Sequence, residues 1–315
     1  MAFTNIIYIY IYIFSIKIPC STRSTRATPD RKPPPICYSQ RYSYLSLETI
    51  QEIWSTYDVK LGPVPVLVIS SAKLAKEALK TIQDLAFSGR PKLLGQQELS
   101  YNGVDIAFSP HSDYWREVIE EHLALKRAKN IREDEDDHIL DILIRLKQEK
   151  SGSIDFNWDH VKALLTDEFI AATDTSAASI VWTMTALIKA PNAMEKVKAE
   201  IRNVIGKKGK VDEDDLPKLP YLKAVMNETF RLYPPAPMLV PRQTIEICTL
   251  DGYEIQPNTV VFVNAWAIQR DPKNWENPDE FLPERFLNNN IDIKGQDFGI
   301  IPFGSGRRIC PGMFM

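Results

Sequence analysis

The chain has 315 residues, 44% hydrophobic and 25% charged, which allows a sizeable buried core and excludes a disordered or fibrous class. A net charge of −3 gives no footing to nucleic-acid binding, and the basic cluster of Lys207, Lys208 and Lys210 reads as solvated loop, so no nucleic-acid partner is expected. Cys20, Cys37, Cys248 and Cys310 form no C-x-x-C pair or disulfide framework, which suits a reducing compartment, and the dispersed His111, His122, His138 and His160 give little support to a zinc site.

The first segment is an apolar, Tyr-rich run from Ile6 to Ile16, extended past Lys17 by Ile18. As a helix, Ile6 to Ile18 spans about 20 Å against a hydrocarbon core of roughly 30 Å, so it is marginal as a membrane span. A strand, a cleaved signal sequence and a leader foreign to the mature protein stay open beside an anchor. Arg23, Arg26, Arg31 and Lys32 favour keeping the following chain on the cytoplasmic side, and Pro33-Pro34-Pro35 makes a stiff spacer. Residues 1–35 are therefore set apart as an anchor with a basic, proline-bearing linker, and 36–315 as one globular domain.

Leu47, Ile50, Ile53 and Trp54 recur at helical spacing. Val59 to Ile69 reads as two strands around Gly62 and Pro63, followed by a Ser71-capped helix through Leu79. Asp113 to Val118 opens another helix, in which Trp115 suits a core anchor. Lys126 to Asp137 has only Ala128 and Ile131 as apolar residues and reads as a solvated linker, after which Ile139, Ile142, Leu143 and Leu146 resume a helical face. A long helix without Pro or Gly runs from about Asp159 to Ala190. At its centre, Ala171 to Ser176 places an acid and a hydroxyl side by side, a pair able to relay protons; equally, the segment reads as a small-residue packing face with Thr175 bonded back to its own turn.

Pro191 starts a helix that Gly206 stops, and Asp212 to Asp215 reads as a solvated turn. In the next helix, from about Tyr221 to Tyr233, Glu228 and Arg231 share one face at i, i+3; on a surface such a pair is worth about 0.2–0.5 kcal/mol. Ile245 to Leu250, the Asp251-Gly252 turn and Tyr253 to Ile255 form a hairpin, and Val260 to Val263 an apolar strand. Near the C-terminus, Ile301 to Gly312 combines the turn-forming Gly304 and Gly306 with Arg307, Arg308 and a cysteine between Ile309 and Pro311. A thiolate that binds a metal ion alone needs an electropositive setting and dry walls, which these flanks supply. Taken by itself, Cys310 is also readable as a buried structural cysteine.

Phe303, Gly306, Arg308, Cys310 and Gly312 fill the pattern F-x-x-G-x-R-x-C-x-G, which resembles the haem-binding loop of the cytochrome P450 family. The resemblance implies haem b as cofactor, with Cys310 as its proximal thiolate and metal ligand and with Phe303, Gly304, Gly306, Arg308 and Gly312 around it. Phe281 to Phe286 matches the family's P-E-R-F element, whose arginine, Arg285, would join Glu228 and Arg231 in a buried structural triad. Losing one member of a buried triad would cost about 3–5 kcal/mol. Ala171 to Ser176 is similar to the family's oxygen-activation segment, which makes Asp174 and Thr175 the catalytic proton relay, although Ala172 stands where relatives usually carry glycine. Asp113 to Val118 resembles the helix that crosses the haem edge, implying propionate contacts from Trp115 and Arg116, with Ile119 in place of a further basic residue. Pro241-Arg242 matches a second propionate contact, against the alternative of an exposed strand-end charge.

The implied fold is mainly α with a small β lobe, a cytochrome P450 fold similar to plant microsomal A-type members but incomplete. Several roof helices after the Trp115 helix, and the C-terminal helix and hairpin, have no counterpart. The implied activity is a haem-dependent monooxygenase that inserts one oxygen atom of O2 into a small hydrophobic, specialised-metabolite substrate. Electrons would come from an NADPH-dependent flavoprotein reductase on a basic face that includes Arg307. The implied location is the endoplasmic reticulum membrane, with the domain facing the cytoplasm. The second reading is a truncated, non-catalytic relative that keeps haem binding or an interaction surface.

Overall fold

The computed structural model describes residues 56–61, 64–80, 82–92, 94–119, 139–149, 156–206, 208–287 and 291–313. The expected leader, the helix around Leu47 to Trp54 and the charged linker of 126–137 lie outside the described residues. Among the described residues, no helix is long and apolar enough to cross a membrane.

The β lobe forms where the sequence is β-branched. Strands β1 (Thr56–Leu61) and β2 (Val64–Ile69) pair antiparallel on either side of positions 62 and 63. Val66, Leu67 and Ile69 of β2 are buried, which anchors the register. Four further strands follow much later: β3 (Arg242–Gln243), β4 (Cys248–Leu250), β5 (Tyr253–Ile255) and β6 (Val260–Val263). The apolar run of β6 lies parallel to β2 and antiparallel to β3, giving the sheet order β1-β2-β6-β3. Strands β4 and β5 form the expected hairpin, whose turn residues Asp251 and Gly252 take φ of 50° and 78°, the left-handed pair that matches strand twist.

Among the described residues, eight helices surround and extend this lobe: α1 (Ala72–Lys80), α2 (Leu94–Leu99), α3 (113–119), α4 (Ile139–Glu149), α5 (Trp158–Lys189), α6 (Pro191–Ile205), α7 (Pro220–Leu232) and α8 (Ala265–Ile268). Ser71 Oγ accepts from Leu74 N at 3.3 Å to start α1, which buries Leu74, Ala75, Ala78 and Leu79 in one cluster with Ile69, Val261, Ile268 and Ile301. That cluster joins the β lobe to the C-terminal loop. Proline at the first turn opens α6 and α7, and Gly206 at φ 52° ends α6.

Helix α5 is 32 residues long, started by Asn157, whose side chain accepts from the amides of Asp159 and His160. Its ends are buried and its centre is not. His160, Val161, Ala163 and Leu164 pack with Ile106, Val118 and Leu143, while Leu187 packs with Val197 and Val225 of α6 and α7. Between them Phe169 is 75% exposed and Ile180 65%. One expectation is corrected. The acidic run at Asp212 is not simply solvated: Glu213–Lys218 forms a 3-10 turn in which Asp215 is buried, accepting from Lys208, Lys218 and the Asp212 amide at 2.9, 3.1 and 3.1 Å.

Candidate functional site

The cysteine loop is built on a rigid approach. Ile300 and Ile301 are fully buried, and the Ile301 amide donates to Gln269 Oε1 at 2.9 Å, while Gln269 Nε2 donates to the carbonyls of Phe230 and Arg231 at the end of α7. Gly304 and Gly306 both sit at φ 71°, and a Cβ on Gly306 would overlap the Leu79 carbonyl of α1, so the turn Gly306–Arg308 requires glycine twice over. Cys310 N donates to Phe303 O at 2.9 Å and closes the loop on itself. Cys310 is half-buried and outside any disulfide. Phe303 packs edge-on against Phe230 at 5.5 Å, and Gly312 lies in the turn after the cysteine.

Beside the loop, buried guanidiniums gather. Arg308 donates to the carbonyls of Ser88, Ser109 and Ile106 at 3.0, 2.7 and 3.4 Å and lies 3.9 Å over the Trp115 ring. Arg242 donates to Ser305 O at 2.8 Å and faces Asp84 Oδ1 at 3.4 Å; Arg90 donates to the carbonyls of Ala107, Val240 and Pro241. Burial, with Arg242 nearby, pulls Arg308 down to about 9, and burial opposed by Asp84 pulls Arg242 down to about 10. Asp84 also accepts from the Arg307 amide at 2.9 Å. Carbonyl oxygens meet much of this charge, Asp84 faces Arg242, and Asp105 acts on Arg308 electrostatically.

A second group ties the loop to α5. Asp167 Oδ2 accepts from the amides of Ile106 and Ala107 at 2.8 and 3.0 Å, and the Ile106 carbonyl on the other side accepts from Trp115 Nε1 at 3.0 Å as well as from Arg308. Asp105 lies against Asp167. Burial, with Asp167 second, pushes the Asp105 carboxyl up to about 7, and burial also raises Asp167, so the two acids share a proton near neutral pH.

The triad is assembled. Glu228 and Arg231 are both fully buried, with Arg231 Nε and Nη2 on the two carboxylate oxygens at 2.7 and 2.8 Å, and Arg285 Nε reaches Glu228 Oε1 at 3.3 Å. Arg231 also donates to the carbonyls of Gln269, Pro278 and Glu280. Arg242 is a buried guanidinium rather than an exposed strand-end charge. Trp115 is buried and takes the core-anchor role, with its indole N–H committed to Ile106. Arg116 is not brought to the cluster: its side chain is 56% exposed and paired with Asp113. On α5, Asp174 is half-buried and Thr175 exposed, and Thr175 Oγ1 donates to Ala171 O at 2.5 Å, the bond back to its own turn.

Asp84, Arg90, Asp105, Asp167 and Gln269 escaped the sequence reading, because nothing local marks an acid or amide whose partner lies far along the chain. His111 was read only as one of four scattered histidines, yet its Nε2 is buried without a hydrogen-bond partner, 5.5 Å ring to ring from Trp115. Among the described residues, no group of three or more His, Cys, Asp and Glu side chains could hold a metal. A half-buried cysteine in a glycine turn, with buried guanidiniums beside its loop and an orphaned ring nitrogen packed on Trp115, fits a cofactor that binds through a metal and carries its own carboxylates.

A family model described as Cytochrome P450 matches residues 111–315. Cytochrome P450 71A1 of Persea americana is 34% identical over 378 aligned residues, covering 80% of this chain and 75% of that protein. The 6,7,8-trihydroxycoumarin synthase of Pastinaca sativa is 34% identical, covering 86% and 79%. Both alignments are longer than the 315-residue chain, so they cross positions that the relatives have and this chain lacks. The 4-hydroxyphenylacetaldehyde oxime monooxygenase of Sorghum bicolor is 44% identical over 223 residues, covering 70% and 40%. A zebrafish cytochrome P450 solved with abiraterone shares the fold at a TM-score of 0.71 and 24% identity, covering 85% of each chain.

Proposed function

The chain belongs to the cytochrome P450 family, whose cofactor is haem held by a cysteine thiolate, and we propose that it is a monooxygenase inserting one oxygen atom of O2 into a small hydrophobic substrate of specialised metabolism. The observation that carries this reading is the loop of Phe303 to Gly312, which turns on two left-handed glycines to present Cys310 beside the buried Arg308. When bound, haem supplies an iron whose thiolate ligand favours O–O cleavage. Cys310 would hold that iron, and Arg308 and Arg242, whose charge burial disfavours, would meet the haem carboxylates.

Asp174 and Thr175 are the proton-handling pair of this proposal. In the structure the Thr175 proton is donated to Ala171 O, so moving it elsewhere requires Oγ1 to rotate off its own turn. The substrate class is supported by relatives named for a trihydroxycoumarin, a hydroxylated xanthotoxin and an aldehyde oxime. Electrons would come from an NADPH-dependent flavoprotein reductase that docks where Arg307 is half exposed, with the apolar run Ile6 to Ile18 holding the domain at the cytoplasmic face of the endoplasmic reticulum.

A second reading, a haem-binding relative without turnover, is favoured by the centre of α5, where Phe169, Thr175 and Ile180 are all exposed. Haem reconstitution of the full chain separates the cases. The reduced, carbon-monoxide-treated protein should show the red-shifted Soret band of thiolate ligation, absent in Cys310→Ala, and then consume NADPH with a reductase and a coumarin-like substrate to give hydroxylated product. A thiolate band without product assigns the second reading, and no thiolate band overturns both.

A further inference from the structure

The buried Nε2 of His111 is the feature that the preceding reading leaves unexplained. A polar atom buried without a partner forfeits its hydration, and such atoms are rare in folded proteins. Nε2 of His111 has neither solvent nor a protein acceptor, although its ring is packed beside Trp115, the same indole that lies under the Arg308 guanidinium at 3.9 Å. The charges around it are mostly positive. Burial lowers the basicity of the ring, with Arg308, Arg307 and Arg116 adding to the effect in that order and Asp84 opposing it. A neutral imidazole among guanidiniums can carry its proton on Nε2 and donate it, and the acceptor that suits such a place is an anion.

We propose that His111 is a further cofactor-binding residue, its Nε2–H hydrogen-bonded to a haem carboxylate that Arg308 or Arg242 neutralises. This assignment rests on the haem reading given above. It adds a neutral donor to a site whose other donors are charged, and it stands in where the expected helix contacts do not, since Trp115 Nε1 is committed to Ile106 and Arg116 is turned to Asp113.

The test uses the full chain reconstituted with haem and, separately, with haem dimethyl ester, whose carboxylates are capped. Haem transfer to excess apomyoglobin is timed for the wild type, His111→Phe and His111→Gln. The Phe variant should lose haem about tenfold faster than the wild type, as expected for a lost hydrogen bond to a charged group, while Gln, which keeps a donor, should stay within about threefold. With the dimethyl ester, the Phe variant and the wild type should differ by less than about twofold. The reduced carbon monoxide spectrum should keep its thiolate band in all three proteins. Equal loss rates with free haem, or a difference of the same size with the ester, would overturn the role of His111 while leaving the haem reading intact. Failure of the wild type to bind haem would overturn both.

Discussion

The shared proton between Asp105 and Asp167 makes stability depend on pH in a direction opposite to most carboxylates. An aspartate with an ordinary value of 3.8 is held near 7 in the folded chain, by burial first and by Asp167 second. Between those values the folded state keeps a proton that the unfolded state has lost, so stability is fullest below about pH 4 and falls as pH rises to about 7. At about 1.4 kcal/mol per unit, that span corresponds to a loss on the order of 4 kcal/mol, spread over the coupled pair. Asp105→Asn removes the titration but keeps Oδ1 as acceptor for the Phe108 amide, now at 3.1 Å, and offers an N–H to Asp167. Urea unfolding followed by tryptophan fluorescence at pH 5, 6, 7 and 8 should give wild-type stability that declines relative to the variant across the series. At pH 8 the variant should be the more stable by at least about 1 kcal/mol. Histidines that titrate in the same range are common to both proteins and drop out of the difference. A variant less stable than the wild type at pH 8, or a difference that does not change with pH, would refute the shared proton.

Three further changes probe the frame around the loop. Glu228→Gln leaves two buried or nearly buried guanidiniums without their carboxylate and should destabilise by about 3–5 kcal/mol, read as a lowered urea midpoint. Asp84→Asn removes the carboxylate facing Arg242 and capping the Arg307 amide; a loss of about 1–3 kcal/mol in the same assay is expected, together with faster haem loss at fixed pH. Gly306→Ala and Gly252→Ala place the same methyl at φ 71° and 78°, but only the first meets another atom, the Leu79 carbonyl. Gly252→Ala should cost about 1 kcal/mol for its backbone alone and Gly306→Ala clearly more, and equal thermal shifts would refute the steric account.

Much of this was legible in the sequence, because the helices state their own limits. The uninterrupted run ended by Pro191 gave a helix within a residue of Trp158–Lys189, and Pro and Gly punctuation placed α6. The cysteine loop and the Glu228–Arg231–Arg285 cluster were legible through fixed spacing, though burial of the pair, which turns a surface contact into a lock, was known only from the resemblance. Trp115 and Arg116 part for a geometric reason: consecutive helical residues point about 100° apart, so when the indole turns inward the guanidinium turns out. Asp215 went astray because two lysines and a capping amide gather on it only after the chain has turned. Asp84, Asp105, Asp167 and His111 carry no periodic or motif signal, since their meaning comes from contacts made across 60 residues or more, as for Asp167 with Ile106 and Ala107 and Asp84 with Arg307, or from an atom that finds none.

These contacts divide the site into a half that is held and a half that is open. On the loop side, Arg308 is gripped by three carbonyls and an indole, Arg307 by Asp84, and Ile301 by Gln269. One peptide, Ile106, carries that order to α5, its amide on Asp167 and its carbonyl on Trp115 and Arg308. A displacement of α5 near Asp167 therefore reaches the haem loop without passing through the cofactor. Seven to eight residues further along the same helix, Asp174 and Thr175 have no comparable tie among the described residues: the Thr175 hydroxyl donates within its own turn, and Phe169 and Ile180 of the same helix face solvent. In the proposed function, cofactor retention and proton delivery thus draw on different supports, so substitutions at Asp84, Asp105 or Gly306 should register first in haem binding. Product formation should depend most on whatever closes over the exposed centre of α5.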